Sequence, residues 1–273
     1  IAVRRQCMPA RLAWLRGGNA AAALCRHGPE RGPRAQDNLP RMKTIGLIGG
    51  MSWESTVPYY RLINQGVNAR LGGLHSARLV LYSVDFQDIE RMQHHERLDE
   101  AGERLASAAR ALQAAGAELL LLCTNTMHKV APAIEAAVRI PLLHIADPTA
   151  EAIHSAGQSV VGLLGTRFTM EQAFYRDRLR DRHGIEVLVP EAADRALVHR
   201  VIYDELCQGI VREGSRAEYR AVIARLAARG AQAVVLGCTE ISLLVGPQDA
   251  GVPLHDTTLL HARAAVDAAL GAG

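Results

Sequence analysis

Apolar residues in this chain come in short continuous blocks, each followed by a longer stretch with one apolar face. Ile45 to Gly50, Ala77 to Val84, Glu118 to Cys123 and Ile140 to His144 are predicted as short strands, the first and third of them buried. Between them, Trp53 to Leu71, Leu98 to Ala115 and a segment ending near Val138 carry helical spacing, with Ser52 as a cap and Gly72-Gly73 as a stop. Asp85 to His95 is predicted as a polar loop or short helix, and Pro148 to Ala156 as a helix. The pattern then restarts. Ser159 to Thr166 is a strand, Thr169 to Arg182 a helix and Ile185 to Val189 a strand; Ala193 to Val211 and Arg216 to Arg229 are helices. Strands at Ala231 to Gly237 and Val252 to His255 and a last helix from Thr258 to Leu270 complete the chain.

The restart is a repeat. Gly46 matches Gly162 at a spacing of 116, Gly116 matches Gly230 at 114, and Ile140-Pro141-Leu142 matches Val252-Pro253-Leu254 at 112. Three matches at nearly one offset predict an α/β fold of two similar parallel-sheet domains related by internal duplication, over 42–156 and 157–256. Aligning Gly116 with Gly230 sets Thr124 on Cys238, each in a polar cluster after a buried strand. The carboxyl ends of parallel strands are where open α/β sheets bind ligands, so the site is expected in the cleft between the two halves.

Composition narrows this picture. Apolar residues are 49% of the 273 and aromatics 4%, so aliphatic side chains fill the cores. No apolar run reaches membrane-spanning length. The net charge of +3 is a property of the leader: residues 1–41 hold eight Arg against Glu30 and Asp37, leaving the remainder near −3. That balance argues against nucleic acid as a partner of the folded body. Residues 1–41 are expected to be a disordered or non-native extension preceding Met42. The five cysteines are scattered and do not form a disulfide framework, which points to a reducing cytoplasm.

Candidate chemistry gathers at the two polar clusters. Cys238, between Gly237 and Thr239-Glu240, sits at an expected helix start, where a thiolate is favoured; packing as a small apolar side chain is the alternative. Thr124 is either its functional counterpart or a helix N-cap. Cys123, one residue earlier, is expected on the opposite side of the strand as buried structure. Asn125 and Thr126 supply donors suited to a carboxylate. His128, one turn after Thr124, either tunes acid–base behaviour or lines a helix. The only lysines are Lys43 and Lys129, which leaves few attachment points for a Schiff-base cofactor, and the histidines show no zinc-type spacing. The glycines do not form a dinucleotide fingerprint.

From Met42 onward the chain resembles the aspartate/glutamate racemase superfamily, most closely its broad amino-acid racemase branch. The resemblance rests on Gly-Leu-Ile-Gly-Gly-Met-Ser-Trp-Glu-Ser-Thr at 46–56, Cys-Thr-Asn-Thr-Met-His at 123–128, Gly-Thr-Arg-Phe-Thr-Met at 165–170 and Gly-Cys-Thr-Glu-Ile at 237–241. It implies a site between two α/β domains and a C-terminal helix, 257–273, packed back on the first. It also implies no pyridoxal phosphate or metal, an amino-acid substrate, and a homodimer. The implied chemistry uses two opposed groups, one removing the α-proton and the other returning it to the opposite face. Most relatives use two cysteines; here Thr124 takes the place of the first. A hydroxyl is a weaker base than a thiolate, so one enantiomer is expected to be processed faster.

Substrate contacts are expected from Met51, Gln93, Asn125, Thr126, Thr166, Thr239 and Glu240, with Ser52 and Thr169 nearby. Gln93 is preferred over Arg91 and His94 in the loop after the second strand. Aspartate-specific relatives place a Lys after an Ile-Tyr pair, and here Cys207 follows Ile202-Tyr203 in that position. The expected function is cofactor-independent racemisation of an acidic amino acid, glutamate or aspartate, or a wider set. The alternatives are hydantoin racemisation, maleate isomerisation or malonate decarboxylation, or a weakly catalytic binding protein on the same scaffold.

Overall fold

The computed structural model describes residues 41–271; apart from Arg41, the expected N-terminal extension lies outside them. Two four-stranded sheets, all of whose pairings are parallel, make up the fold. The first contains β1 (Ile45–Gly49), β2 (Leu79–Ser83), β3 (Leu119–Leu122) and β4 (Leu142–Leu143), in the order β2-β1-β3-β4. The second contains β5 (Val160–Leu164), β6 (Glu186–Leu188), β7 (Ala233–Leu236) and β8 (Leu254–Asp256), in the order β6-β5-β7-β8. One order thus occurs twice, as the repeat requires. Central strands of a parallel sheet are covered on both faces. Accordingly β1, β3 and β7 are buried at every residue.

The connecting helices are α1 (Trp53–Leu71), α2 (Phe86–His94), α3 (Leu98–Ala114), α4 (Ala131–Ala137) and α5 (Ala146–Ser155) in the first half. The second half holds α6 (Arg167–Glu171), α7 (Ala173–Asp177), α8 (Ala192–Asp204), α9 (Glu213–Ala228), α10 (Ile241–Leu244) and α11 (Thr257–Leu270). The last helix of each half crosses to the other sheet. Ala146, Ala150 and Ile153 of α5 are buried with Val161 and Leu163 of β5 and Val235 of β7. Ala262, Ala265 and Val266 of α11 are buried with Tyr59 and Ile63 of α1 and Leu121 of β3. The expected division at residue 156 therefore needs correcting as regards α5, whose apolar side chains belong to the second core.

Two expected helices are shorter than their patterns. The helix over Thr169 to Arg182 breaks at Gln172, which is extended (φ −81°, ψ 151°), and ends in a π-helical turn over Arg178–Arg182. Met170 joins the core under α8 and α9, whereas Tyr175 joins the one under α5. The break carries the chain from one core to the other. Helix α8 stops at Asp204, not Val211, because Glu205 turns inward to accept a hydrogen bond from Ser215 Oγ at 2.7 Å. A 3-10 turn, Leu206–Gln208, then ends at Gly209 with φ 72°.

Because α1 and α11 share one apolar seam, Ile63→Ala should remove about 2–4 kcal/mol of stability. In urea, one unfolding transition at lower midpoint is expected; a separate early transition would mean that α11 detaches by itself.

Candidate active site

The residues singled out from the sequence border one cleft at the carboxyl ends of the two sheets. Met51, Gln93, Thr124, Asn125, Thr126, Thr166, Cys238, Thr239 and Glu240 all line it, together with Phe86, Met127, Ile202, Tyr203 and Cys207. Arg91 and His94 are exposed on α2. The space between these groups measures about 20 Å³, roughly the room of one water. An amino acid enters only if the lobes part. Roomier hollows, such as one of about 380 Å³ beside Leu254 and Arg263, gather no comparable set of groups.

Thr124 and Cys238 occupy equivalent places, each two residues beyond its buried central strand, β3 or β7. Cys123 points the other way, as the strand alternation requires, and is fully buried against Tyr59 and Ala262. Burial pushes its thiol above the ordinary range, so it is a packing residue.

The turn after β3 is held by histidines. His128 Nε2 accepts from Ile145 N at 3.2 Å, which forces the ring proton onto Nδ1, and that proton is donated to Thr124 O at 2.7 Å. His128 thus anchors the main chain of Thr124 as a neutral ring, which decides between the two readings of this residue. Its pKa is driven down by burial and then by the neighbouring His144 and His261. Around it, His261 donates to Leu143 O (2.9 Å) and accepts from Tyr59 (3.0 Å), while His144 accepts from Ala146 N (3.3 Å). No local pattern announces that His144 and His261 meet His128, because they stand at the end of β4 and on α11.

Asn125 has a fixed orientation. Thr257 Oγ1 donates to Leu236 O at 2.8 Å, so toward Asn125 it can only accept, and Asn125 Nδ2 donates to it at 3.0 Å. The Asn125 Oδ1 acceptor is then buried without a partner. This side chain is suited to receive an ammonium group, whereas a carboxylate was expected there. Thr126 Oγ1 lies 3.1 Å from both Thr166 Oγ1 and Thr169 Oγ1, a buried hydroxyl trio that joins the halves. Thr166 also caps α6 through Thr169 N.

The loop after β1 brings Ser52 across the cleft. Gly50 adopts φ 91°, and a Cβ there would lie 2.3 Å from Val84 O, so only glycine lets the chain turn at this point. Ser52 N and Oγ then donate to Glu240 Oε1 at 3.1 and 2.8 Å. Glu240 Oε2 accepts from Cys238 Sγ at 2.9 Å and Thr239 Oγ1 at 3.0 Å. The Cys238 thiol is raised well above its ordinary value, first by burial and then by the charge of Glu240. The expectation of a thiolate favoured by a helix start is therefore corrected: α10 is only four residues long, and its end is outweighed. At the far wall, Gln93 Nε2 donates to Tyr203 Oη at 3.5 Å, and Phe86 stacks on Tyr203 with ring centroids 6.4 Å apart. None of the lining residues is Lys or Arg, and Glu240 is the one charged group among them.

A family model described as Asp/Glu/hydantoin racemase matches residues 48–265. The chain belongs to that family. It is therefore an isomerase of the racemase class, with amino acids as its kind of substrate. A structure from Yersinia pestis described as a candidate Asp/Glu racemase is 60% identical and superposes with a TM-score of 0.78, covering 84% of this chain and 100% of that one. An aspartate racemase homologue from Pyrococcus horikoshii OT3 is 33% identical, with a TM-score of 0.72 and coverage of 84% and 99%. The broad specificity amino-acid racemase RacX of Bacillus subtilis (strain 168) is 24% identical over 231 residues, 81% of this chain and 96% of its own length.

Racemase stability should respond to pH through the histidine cluster. Neutral burial means that the folded state binds fewer protons than the unfolded chain below the ordinary histidine value of about 6.5. Stability is then fully present above that pH. It falls towards about 4, where His261 protonates, and further towards about 3 for His144. The urea midpoint should be level above pH 7 and decline steadily from 6.5 to 4; a level midpoint across that window would contradict neutral burial.

Proposed function

We propose that this racemase inverts the α-carbon of a free acidic amino acid without a cofactor, using Thr124 and Cys238 as opposed proton-transfer groups. The observation that carries the reading is their equivalent placement at the ends of β3 and β7, in different halves, on one small cleft. Inversion requires a group on each face of a planar carbanion, and two lobes closing on a substrate supply that. Asn125 Oδ1 is suited to the ammonium group, and the hydroxyls of Thr126, Thr166 and Thr239 to the α-carboxylate. Cofactor independence is supported by the lysines: neither Lys43 nor Lys129 borders the cleft, and Lys129 is engaged with Gln172 and the Phe168 ring.

A thiol and a hydroxyl are unequal. The two enantiomers have equal free energy, so kcat/KM must be the same in both directions. The inequality appears instead in how the carbanion partitions. Protonation from Cys238 is faster than from Thr124, so most intermediates return to the enantiomer whose proton faces Cys238. In D2O, with the thiol proton exchanging for deuterium before it is returned, that enantiomer should incorporate deuterium at Cα several times faster than it inverts, whereas the other should invert at nearly every exchange. Equal exchange-to-inversion ratios for both enantiomers would contradict the assignment. Cys238→Ala should lower exchange by about 100-fold or more.

The far wall bears on substrate range. The distal carboxylate of glutamate or aspartate meets only uncharged donors there, the Gln93 amide and the Tyr203 hydroxyl. Uncharged hydrogen bonds discriminate weakly between a carboxylate and an amide. Glutamine should therefore be turned over with kcat/KM within about tenfold of glutamate, and Gln93→Lys should widen the preference for glutamate. A preference for glutamate above a thousandfold in the unaltered protein would point to a cation that reaches the cleft on closure.

A further inference from the structure

Glu240 was expected to contact substrate, but its surroundings assign it other work. It is 2% exposed, and among the described residues no Lys, Arg or His forms an ion pair with it. A buried carboxylate without a cation is costly and persists only when hydrogen bonds replace its water. Its two oxygens offer about four acceptor positions. Four donors occupy them: Ser52 N and Ser52 Oγ at Oε1, Cys238 Sγ and Thr239 Oγ1 at Oε2. Of these, an amide and two hydroxyls hold their protons at any ordinary pH. Among these four the Cys238 thiol can surrender its proton; the Cys207 thiol also approaches the carboxylate, and burial holds it in the protonated form.

We propose that Glu240 is the proton acceptor that turns Cys238 into its reactive thiolate, and that the Ser52 contact makes this dependent on closure of the two lobes. The step balances within the protein. The S–H bond of Cys238 breaks, an O–H bond forms at Glu240 Oε2, and the electron pair stays on sulfur. The thiolate then takes the α-proton: the Cα–H bond breaks, a new S–H bond forms, and its electrons remain on the planar carbanion. In the opposite direction Cys238 donates and is reprotonated by Glu240. Glu240 is a positioning residue that acts through Cys238. Ser52 belongs to the loop after β1 and Glu240 to the turn after β7, so parting the halves to admit substrate withdraws two of the four donors. The other titratable groups against Cys238 are Cys207, Tyr203 of α8 and Tyr219 of α9, and burial raises the pKa of each. Glu240 is thus the one carboxylate side chain facing the thiol.

This inference rests on Cys238 being a cleft base, and the test separates the two. Carbamidomethylation of Cys238 by iodoacetamide is followed against pH by peptide mass spectrometry, in the unaltered protein and in Glu240→Gln. Deuterium exchange into L- and D-glutamate is measured on the same samples. The expected result is a Cys238 midpoint at least about one unit lower in Glu240→Gln, because a negative neighbour has gone, with exchange reduced about 100-fold because the proton acceptor has gone. Exchange within threefold of the unaltered protein would overturn the proposal, as would lost exchange with an unmoved midpoint, the sign of a structural role alone. If Glu240→Gln does not fold, Ser52→Ala serves. Loss of one donor makes the carboxylate more basic, so the acidic limb of the exchange profile should move up by about half a unit or more, and an unmoved limb overturns the proposal. Failure of the unaltered protein to exchange any amino acid, by contrast, would count against the racemase reading itself.

Discussion

The exchange of closing helices is the constraint on which the cleft depends. Helix α5 leaves the first sheet to pack on the second, and α11 leaves the second to pack on the first. Each lobe buries an apolar face only by borrowing a helix from the other. Neither sheet can rotate far without exposing that face, at roughly 25 cal/mol for each Å² uncovered. The carboxyl ends of β3 and β7 are thereby kept opposite one another. The contacts across the cleft are small in number and mostly polar: the threonine trio, the Ser52–Glu240 pair, and the Gln93–Tyr203 bond beside the Phe86–Tyr203 stack. Such contacts open more readily than the apolar seams beneath them. The architecture combines a firm hinge with a loosely latched mouth, as suits a cleft too tight for its substrate when closed.

Within that frame the chemistry follows from unequal surroundings of two equivalent positions. Thr124 is anchored through its main chain by a neutral imidazole, so its hydroxyl keeps its place while carrying no charge. Cys238 lies against a carboxylate, which holds it as a thiol and offers a destination for its proton. The repeat supplies the geometry, and the different side chains at its two equivalent positions make the two faces chemically distinct.

Much of this was legible in the sequence. Strand blocks and the near-constant repeat offset carried the fold class, because burial on both faces writes a central parallel strand as a continuous apolar run; the two polar clusters pointed to Thr124, Asn125, Thr126, Cys238, Thr239 and Glu240, and the family resemblance to Met51, Gln93 and Thr166. Other features were not. An amphipathic helix shows that it has a buried face but not which sheet it covers, so nothing in the pattern of α5 places it on the second core. The break at Gln172 obeys tertiary packing of Met170 and Tyr175, which helical periodicity does not record. The partners of Glu240, and the meeting of His144 and His261 around His128, join residues far apart in the chain and leave no local trace. A helix start alone favours a thiolate at Cys238, and the Glu240 carboxylate that opposes it does so through a fold-dependent hydrogen bond.

The central claim is that Thr124 and Cys238 address opposite faces of one α-carbon. A crystal structure of the protein with bound glutamate tests it most directly. The account expects Thr124 Oγ1 and Cys238 Sγ on opposite sides of Cα, each within about 3–3.5 Å of transfer distance, with the ammonium group at Asn125 Oδ1. Glutamate bound with both groups on one face, or away from this cleft, would contradict it.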